Sequence, residues 1–372
     1  MTTEQAKSPP PLEIPDSEIF VKVRIIDTTV RLLGAPARTI WQPAIKGFDN
    51  FDAGTWAFLI EHPSGRKLLF DLGLRKDWWN TAPACGLQEL VDSGVIKRIE
   101  VKKNISEILR DNGVRLEEVE GLIWSHFHWD HIGDPSTFPP TTKLIVGPGV
   151  ESNFFPGFPT DPNSPILQSD YAGRELREID FSSDSLQIAQ FKAFDYFKDG
   201  SFYILDSPGH AIGHLSGLAR TTPSPGATFI HMCGDTANHA GEVRPSVYQP
   251  LPEFMMPSPS PNTHPGLCPG HLFQPIMRNE SPLEHILEFQ NPPEHPKHDT
   301  KYAANYSELR ATIQKIEELD GHSQILTVMA HDWSLKDVVD EFPEDANAWI
   351  EKAWKGKGMW RFLRDFAGIF AF

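Results

Sequence analysis

Between Ser125 and Asp134 the chain reads SHFHWDHIGD, placing His126, His128, Asp130 and His131 within six residues. Groups of this kind are costly to bury unless paired or metal-bound. They follow Gly121-Leu122-Ile123-Trp124, an apolar run that reads as the end of a buried strand. A strand delivering such a loop must belong to a fold that brings further ligands to the same edge. A catalytic zinc takes three protein ligands and keeps one position for water, and one short loop cannot fill two such sites. In an extended or turning segment His126 and His128 point to one side while Asp130 and His131 project onward, which suits two adjacent metals.

Three later segments end apolar runs in the same way: Ser207-Pro208-Gly209-His210, Cys233-Gly234-Asp235-Thr236 and Met329-Ala330-His331-Asp332. Taken singly, a His or Asp at a strand end is equally a cap or a surface residue. Taken with the first cluster, His210, Asp235 and His331 complete two sites. His214 is then surplus, and a place behind the ligands suits it. His239, His264, His271, His285, His295 and His298 show no ligand spacing, although His239 could line a pocket beside Asn238.

The only cysteines, Cys85, Cys233 and Cys268, form no CxxC pair, which excludes a disulfide framework and a thiolate knuckle and leaves any metal to His and carboxylate. A formal net charge of −16 argues against nucleic acid, whose phosphates are gripped by Lys and Arg clusters, and points to a neutral or cationic small molecule. No apolar run reads as a signal peptide or a spanning helix, so a soluble, cytoplasmic protein without a membrane partner is expected.

Residues 1 to 17 are polar and Pro-rich and read as a flexible arm, leaving 18 to 372 as one domain. Strands are expected over 21 to 33, 56 to 61, 67 to 72, 122 to 124, 143 to 146, 202 to 206, 215 to 219 and 228 to 233. Helices are expected over 101 to 112, closed by Gly113, and over 305 to 319 and 346 to 366. This order suggests two packed sheets with helices outside. The Pro-rich stretch from 240 to 300 has neither period and is too long for an ordinary loop, so it reads as active-site cover or as a solvated insertion. The aromatics Trp349, Trp354, Trp360, Phe362 and Phe366 are expected to pack on the domain rather than on a membrane.

HxHxDH followed by PGH, GD and a late His resembles the metallo-β-lactamase superfamily, from about Val21 to His331. The resemblance implies an α/β fold, an αββα sandwich with a two-metal site at one sheet edge. It places His126, His128 and His210 on one metal, Asp130, His131 and His331 on the other, and Asp235 between them. Leu69-Phe70-Asp71-Leu72-Gly73 matches the family's strand-end Asp, making Asp71 an orienter of the ligands; a plain turn Asp is the alternative. Flavodiiron members carry Glu where this chain has His128, which favours zinc hydrolysis. PGHAIGHLS, from Pro208 to Ser216, looks most like the N-acyl homoserine lactonase branch and related fungal proteins, some of which open cyclic amides such as benzoxazolinone. That branch places a Tyr three residues after the bridging Asp. Here the position holds Asn238, which can still donate a hydrogen bond to an oxyanion, with Tyr248 as a possible substitute.

These readings imply a hydrolase with two Zn²⁺, Mn²⁺ or Fe²⁺ being possible, that opens a lactone or lactam. The metal-bridging hydroxide is the nucleophile and Asp130 orients it. Ser216 sits one position off a GxSxG elbow, so a serine nucleophile is not expected. The alternatives are a thioesterase on the same metal centre and a metal-binding protein without turnover.

Overall fold

Alternation along the strands sets which way each residue faces. In Asn50–Glu61, Phe58 and Ile60 join one buried cluster while Ala57 and Leu59 join another; Leu68 and Phe70 against Leu69, and Ile123 against Leu122, repeat the division. Both faces are apolar, so both must be covered. The computed structural model describes residues 6–182, 185–260, 264–290 and 303–370.

One sheet contains β1 (Lys22–Pro36), β2 (Asn50–Glu61), β3 (Lys67–Phe70), β4 (Arg98–Val101), β5 (Val119–Ile123), β6 (Lys143–Val146) and β7 (Leu176–Glu178), in the order β4-β1-β2-β3-β5-β6-β7. The other contains β8 (Gln187–Ile188), β9 (Phe191–Asp195), β10 (Phe202–Asp206), β11 (Leu215–Arg220), β12 (Phe229–Met232) and β13 (Ile325–Val328), in the order β13-β12-β11-β10-β9-β8. Ile25, Phe58, Phe70 and Ile123 meet Phe202, Ile204, Ile230 and Val328 between the sheets. The helix Ile105–Asp111 covers the first sheet through Ile105 and Leu109; Tyr306–Asp320 covers the second through Leu309, Ile316 and Leu319. The result is the expected αββα sandwich.

Local departures from the sequence reading have physical causes. Val101 does not start a helix: it ends β4, paired with Val30, and Asn104 with Glu107 forms the capping box that starts the helix at Ile105. The expected helix over 346–366 is broken into the 3-10 turn Asn347–Trp349, the short helix Trp354–Gly358 and the 3-10 run Arg361–Phe370, with Ala353 in the left-handed region at φ 55. The breaks let Trp349, Trp354, Phe362 and Phe366 all bury their rings, worth about 1.5–3 kcal/mol each, more than helix continuity offers.

Two expectations about loose segments are corrected. Over its described residues the N-terminal arm is tied along the domain: Lys7 N–H donates to Val247 O at 2.8 Å, the Leu12 carbonyl accepts from Ala189 at 2.8 Å, and Arg220 donates to Pro15 O at 2.6 Å. The insertion, described over 240–260 and 264–290, buries Val243, Met255, Phe273, Ile286 and Phe289 in the core that holds Leu309. It is no solvated loop: Glu288–Phe289 pairs with Trp41–Gln42, and Arg244 makes a bidentate pair with Asp320. His295 and His298 lie outside the described residues.

Candidate metal centre

Every ligand candidate sits where a strand ends at one edge of the sandwich. Phe70 pairs with Ile123 in parallel strands, so Asp71 and the HxHxDH loop emerge together; Met232 pairs with Val328, so Asp235 and His331 emerge together. The edge is stitched across the sheets, Leu215 N–H donating to Ser125 O at 2.7 Å and Trp56 N–H to Ala330 O at 2.9 Å. His128 precedes the single helical turn Trp129–Ile132, which carries Asp130 and His131 onward and leaves the His131 ring 4.2 Å from that of His126. Gly209, at φ 123, lies against the start of the helix Tyr306–Asp320, where any Cβ would collide with the Leu309 backbone. That contact holds the His210 loop in place, helped by the Thr312 hydroxyl donating to Pro208 O at 2.7 Å.

All seven sequence candidates converge. Nδ1 of His128 lies 2.8 Å from Nε2 of His126 and 3.1 Å from Nε2 of His210. Asp235 stands between the two groups: its Oδ2 is 3.9 Å from His126, 3.7 Å from His210 and 3.3 Å from His331, and its Oδ1 is 3.2 Å from His131. Asp130 Oδ2 is 3.4 Å from His331 Nε2. Among the described residues three sets have ligand atoms within 4.8 Å of one another: His126-His128-His210, His126-His131-Asp235 and Asp130-His131-His331.

Hydrogen bonds behind these side chains assign their tautomers. His131 Nδ1 donates to Asp71 Oδ2 at 2.8 Å, and His331 Nδ1 to the Gly54 carbonyl at 3.0 Å. Ser125 Oγ donates to the same Asp71 oxygen at 2.8 Å and faces His126 Nδ1 at 3.0 Å. Each of these rings therefore turns Nε2 inward, as metal-binding imidazoles do. His214 lies behind the ligands, its Nε2 accepting the Asp235 backbone N–H at 3.0 Å. Asp71 is thus the orienting residue and not merely a turn former.

The donor set fits a divalent cation. Burial, with His131, His128 and His210 nearby, keeps His126 well below the ordinary imidazole range, so it is neutral and free to ligate. Burial opposes charge on Asp235 too, but positive charge on His131 and His331 outweighs it and holds the carboxylate well below its usual range, a charge that a bound cation would supply in place of their protons. His131 Nε2 and Asp235 Oδ1 are buried without a hydrogen bond of acceptable geometry, a cost that a cation between them removes. Imidazole with carboxylate and no thiolate suits Zn²⁺ and the neighbouring first-row ions.

These residues form the floor of a cavity of about 520 Å³. His128, Asp130, His210, Asp235, Asn238 and His331 supply polar lining; Leu32, Phe51, Leu90, Ile96, Phe127 and Phe154 are among the apolar lining residues. Among the described residues no Lys or Arg lines it, and no residue of the insertion does. The expected cover is therefore not supplied by 240–260 or 264–290; the walls come from 32–53, 84–96 and 154–165. Asn238 faces the cavity with its Oδ1 buried and unpaired.

Two other expectations are corrected. His239 does not line the cavity: it is packed among Trp41, Phe48 and Phe362, with Nε2 3.3 Å from Asp365. Tyr248 cannot stand in for Asn238, since it packs against Gly321 at the far end of the covering helix. Ser216 is fully buried and bonded to Ser207 Oγ at 2.6 Å, so it is no nucleophile. The sequence reading missed Ser125 and the Gly54 carbonyl, which orient ligands, and the apolar wall. Ser125 was detectable from its place beside the motif; a backbone carbonyl and scattered apolar side chains carry no local signal.

The sandwich and the converging imidazoles and carboxylates at its edge define a metal-binding hydrolase. Residues 51–235 match the model described as Metallo-beta-lactamase superfamily. The chain is 44% identical over 368 residues to "Gamma-lactamase FDB1" of Fusarium pseudograminearum (strain CS3096), covering 97% of this chain and 86% of that one. It is 41% identical over 360 residues to "Metallo-hydrolase mfmC" of Annulohypoxylon moriforme, covering 97% and 91%. Its fold is similar to a structure of N-acyl homoserine lactone hydrolase with N-hexanoyl-L-homoserine bound, with a TM-score of 0.53 and 14% identity over 89% of this chain and 100% of that one. The chain belongs to the metallo-β-lactamase superfamily and is a hydrolase.

Proposed function

We propose that the protein is a dinuclear zinc hydrolase that opens a small, neutral lactone or lactam. The observation that carries this reading is the cavity itself, lined by the converging imidazoles and carboxylates together with apolar side chains and, among the described residues, no Lys or Arg. A relative named for gamma-lactamase activity, at 44% identity over nearly the whole chain, supports the lactam side of the choice.

His126, His128 and His210 would hold one ion, Asp130, His131 and His331 the other, with Asp235 shared. When bound, such a pair lowers the pKa of water and polarises a carbonyl. Asp130, facing the cavity, orients the attacking water and takes its proton. Asn238 offers its amide N–H₂ to the carbonyl oxygen as charge builds there. Asp71 and the Gly54 carbonyl keep His131 and His331 in the tautomers that ligate, and the apolar wall seats the uncharged ring and excludes bulk water.

The test is metal analysis of the purified protein, then reconstitution with Zn²⁺, Mn²⁺ or Fe²⁺ and a screen of lactones, lactams including benzoxazolinone, thioesters and phosphodiesters. About two zinc ions per chain and turnover of a lactam or lactone are expected. Turnover of thioesters alone would make it a thioesterase, and no turnover with any metal would make it a binding protein.

A further inference from the structure

Glu242 is fully buried and takes no part in the reading above, yet it meets the site loop directly. Its Oε1 accepts three hydrogen bonds: from the backbone N–H of Asn238 at 3.0 Å, from the backbone N–H of His239 at 2.9 Å and from the indole N–H of Trp41 at 2.7 Å. The second carboxyl oxygen has no hydrogen-bond partner among the described residues. Burial pushes the carboxyl up to about 8, so near neutral pH much of it is the uncharged acid, with its proton free to sit on Oε2 while Oε1 accepts.

Of the three donor residues only Asn238 lines the cavity, while Trp41 stands next to wall residues in the chain. Asn238 stands three residues beyond Asp235 and lines the floor; Trp41 follows Thr39 and Ile40, which line the wall, and its ring meets that of Phe51 edge-on at 4.8 Å. One oxygen therefore sets the distance between the loop carrying Asn238 and the wall against which a substrate is held. His239 completes the lock as the N-cap of Ala240–Glu242, its Nδ1 accepting from Gly241 N–H at 2.9 Å. A buried acid is an expensive way to cap three residues; an apolar side chain with the turn exposed to solvent would cost less.

We propose that Glu242 is a positioning residue for the hydrolytic reaction, holding Asn238 at the distance from the substrate wall at which its amide meets the reacting carbonyl. This rests on the role given to Asn238 above. Loss of the acceptor would leave three N–H groups unpaired and let the 236–239 backbone drift, lowering kcat more than it raises KM.

The test uses the full chain reconstituted with zinc. Deuterium exchange of the 236–243 backbone, and kcat and KM for benzoxazolinone, are measured for Glu242→Leu, Glu242→Gln, Asn238→Ala and the double variant Glu242→Leu/Asn238→Ala. Glu242→Leu should speed exchange at Asn238 and His239 while β12 stays protected, and should lower kcat about tenfold or more with KM changed by less than about threefold. Glu242→Gln, which keeps the acceptor, should recover most of both losses, and the double variant should be no slower than Asn238→Ala. Unchanged exchange and kcat in Glu242→Leu, or losses that multiply in the double variant, would overturn the inference. If Asn238→Ala keeps full kcat, the role of Asn238 fails, and with it the catalytic half of this proposal, while exchange still reports whether Glu242 holds the loop. Should Glu242→Leu not fold, Glu242→Asp, which withdraws the acceptor by one methylene, must show the same faster exchange at Asn238 and His239; wild-type protection there overturns the proposal.

Discussion

His131 Nδ1 lies 2.8 Å from Asp71 Oδ2, and the same carboxylate accepts the backbone N–H and the hydroxyl of Ser125 at 2.7 and 2.8 Å. Asp71 itself is in the left-handed region at φ 61, a conformation that a residue other than Gly adopts at a cost. One side chain thus aligns both halves of the HxHxDH loop. Asp71→Ala should weaken metal binding by about 10–100-fold. Competition against a chelator of known affinity measures it, and wild-type affinity would remove the orienting role.

Asp130 faces the cavity and lies 3.4 Å from His331. Asp130→Asn keeps the shape but cannot take a proton, so kcat should fall by at least about 100-fold. An ion of the kind proposed for His126, His128 and His210 should stay bound, because none of those side chains is altered. Single-turnover kinetics with metal analysis separates the two effects; full activity would contradict the proton-accepting role.

Arg244, in the insertion, donates from Nε and Nη2 to Asp320 at 2.7 and 2.8 Å, with both side chains buried. Burial disfavours charge on Asp320, yet Arg244 and Lys355 hold its carboxyl down to about 2. Removing one partner strands the other charge in the core. Arg244→Ala should cost about 3–5 kcal/mol in urea unfolding, whereas a surface insertion would cost almost nothing.

His285 ties the insertion to the covering helix. Its Nδ1 is 3.1 Å from Glu317 and its Nε2 is 3.8 Å from Glu288, while Arg278 stands 3.2 Å from Nε2. Burial and Arg278 oppose protonation, but the Glu288 carboxylate 3.8 Å away and the hydrogen bond to Glu317 outweigh them and raise the imidazolium pKa to about 9. A pKa raised on folding means that the native state binds the extra proton. The stabilisation is therefore complete below about pH 6.5 and lost as pH rises through about 9, amounting to at most about 3 kcal/mol. Urea unfolding from pH 6 to 10 should show this decline, and His285→Gln should flatten it.

The ligand cluster was legible because its members are adjacent in the chain: His126, His128, Asp130 and His131 need only a strand end to be presented together. His210, Asp235 and His331 were legible through the same strand-to-loop pattern, and the two-sheet core through alternation. The insertion was not, because it is built from short 3-10 turns and two-residue strands that have no period to read. The helix over 346–366 was overcalled because its aromatics fall near helical spacing, although Ala353 turns the chain.

From its sequence alone the protein is determined to be a layered α/β sandwich carrying imidazole and carboxylate donors at strand ends, since burial direction and ligand type are properties of neighbouring residues. Only the tertiary structure decides that Asp235 stands between both ligand groups, that Gly54 orients a histidine 277 residues away, that His239 and Tyr248 turn from the cavity, and that Glu242 joins the Asn238 backbone to Trp41. These relations follow from strand register and from packing between distant segments, which no local pattern in the chain encodes.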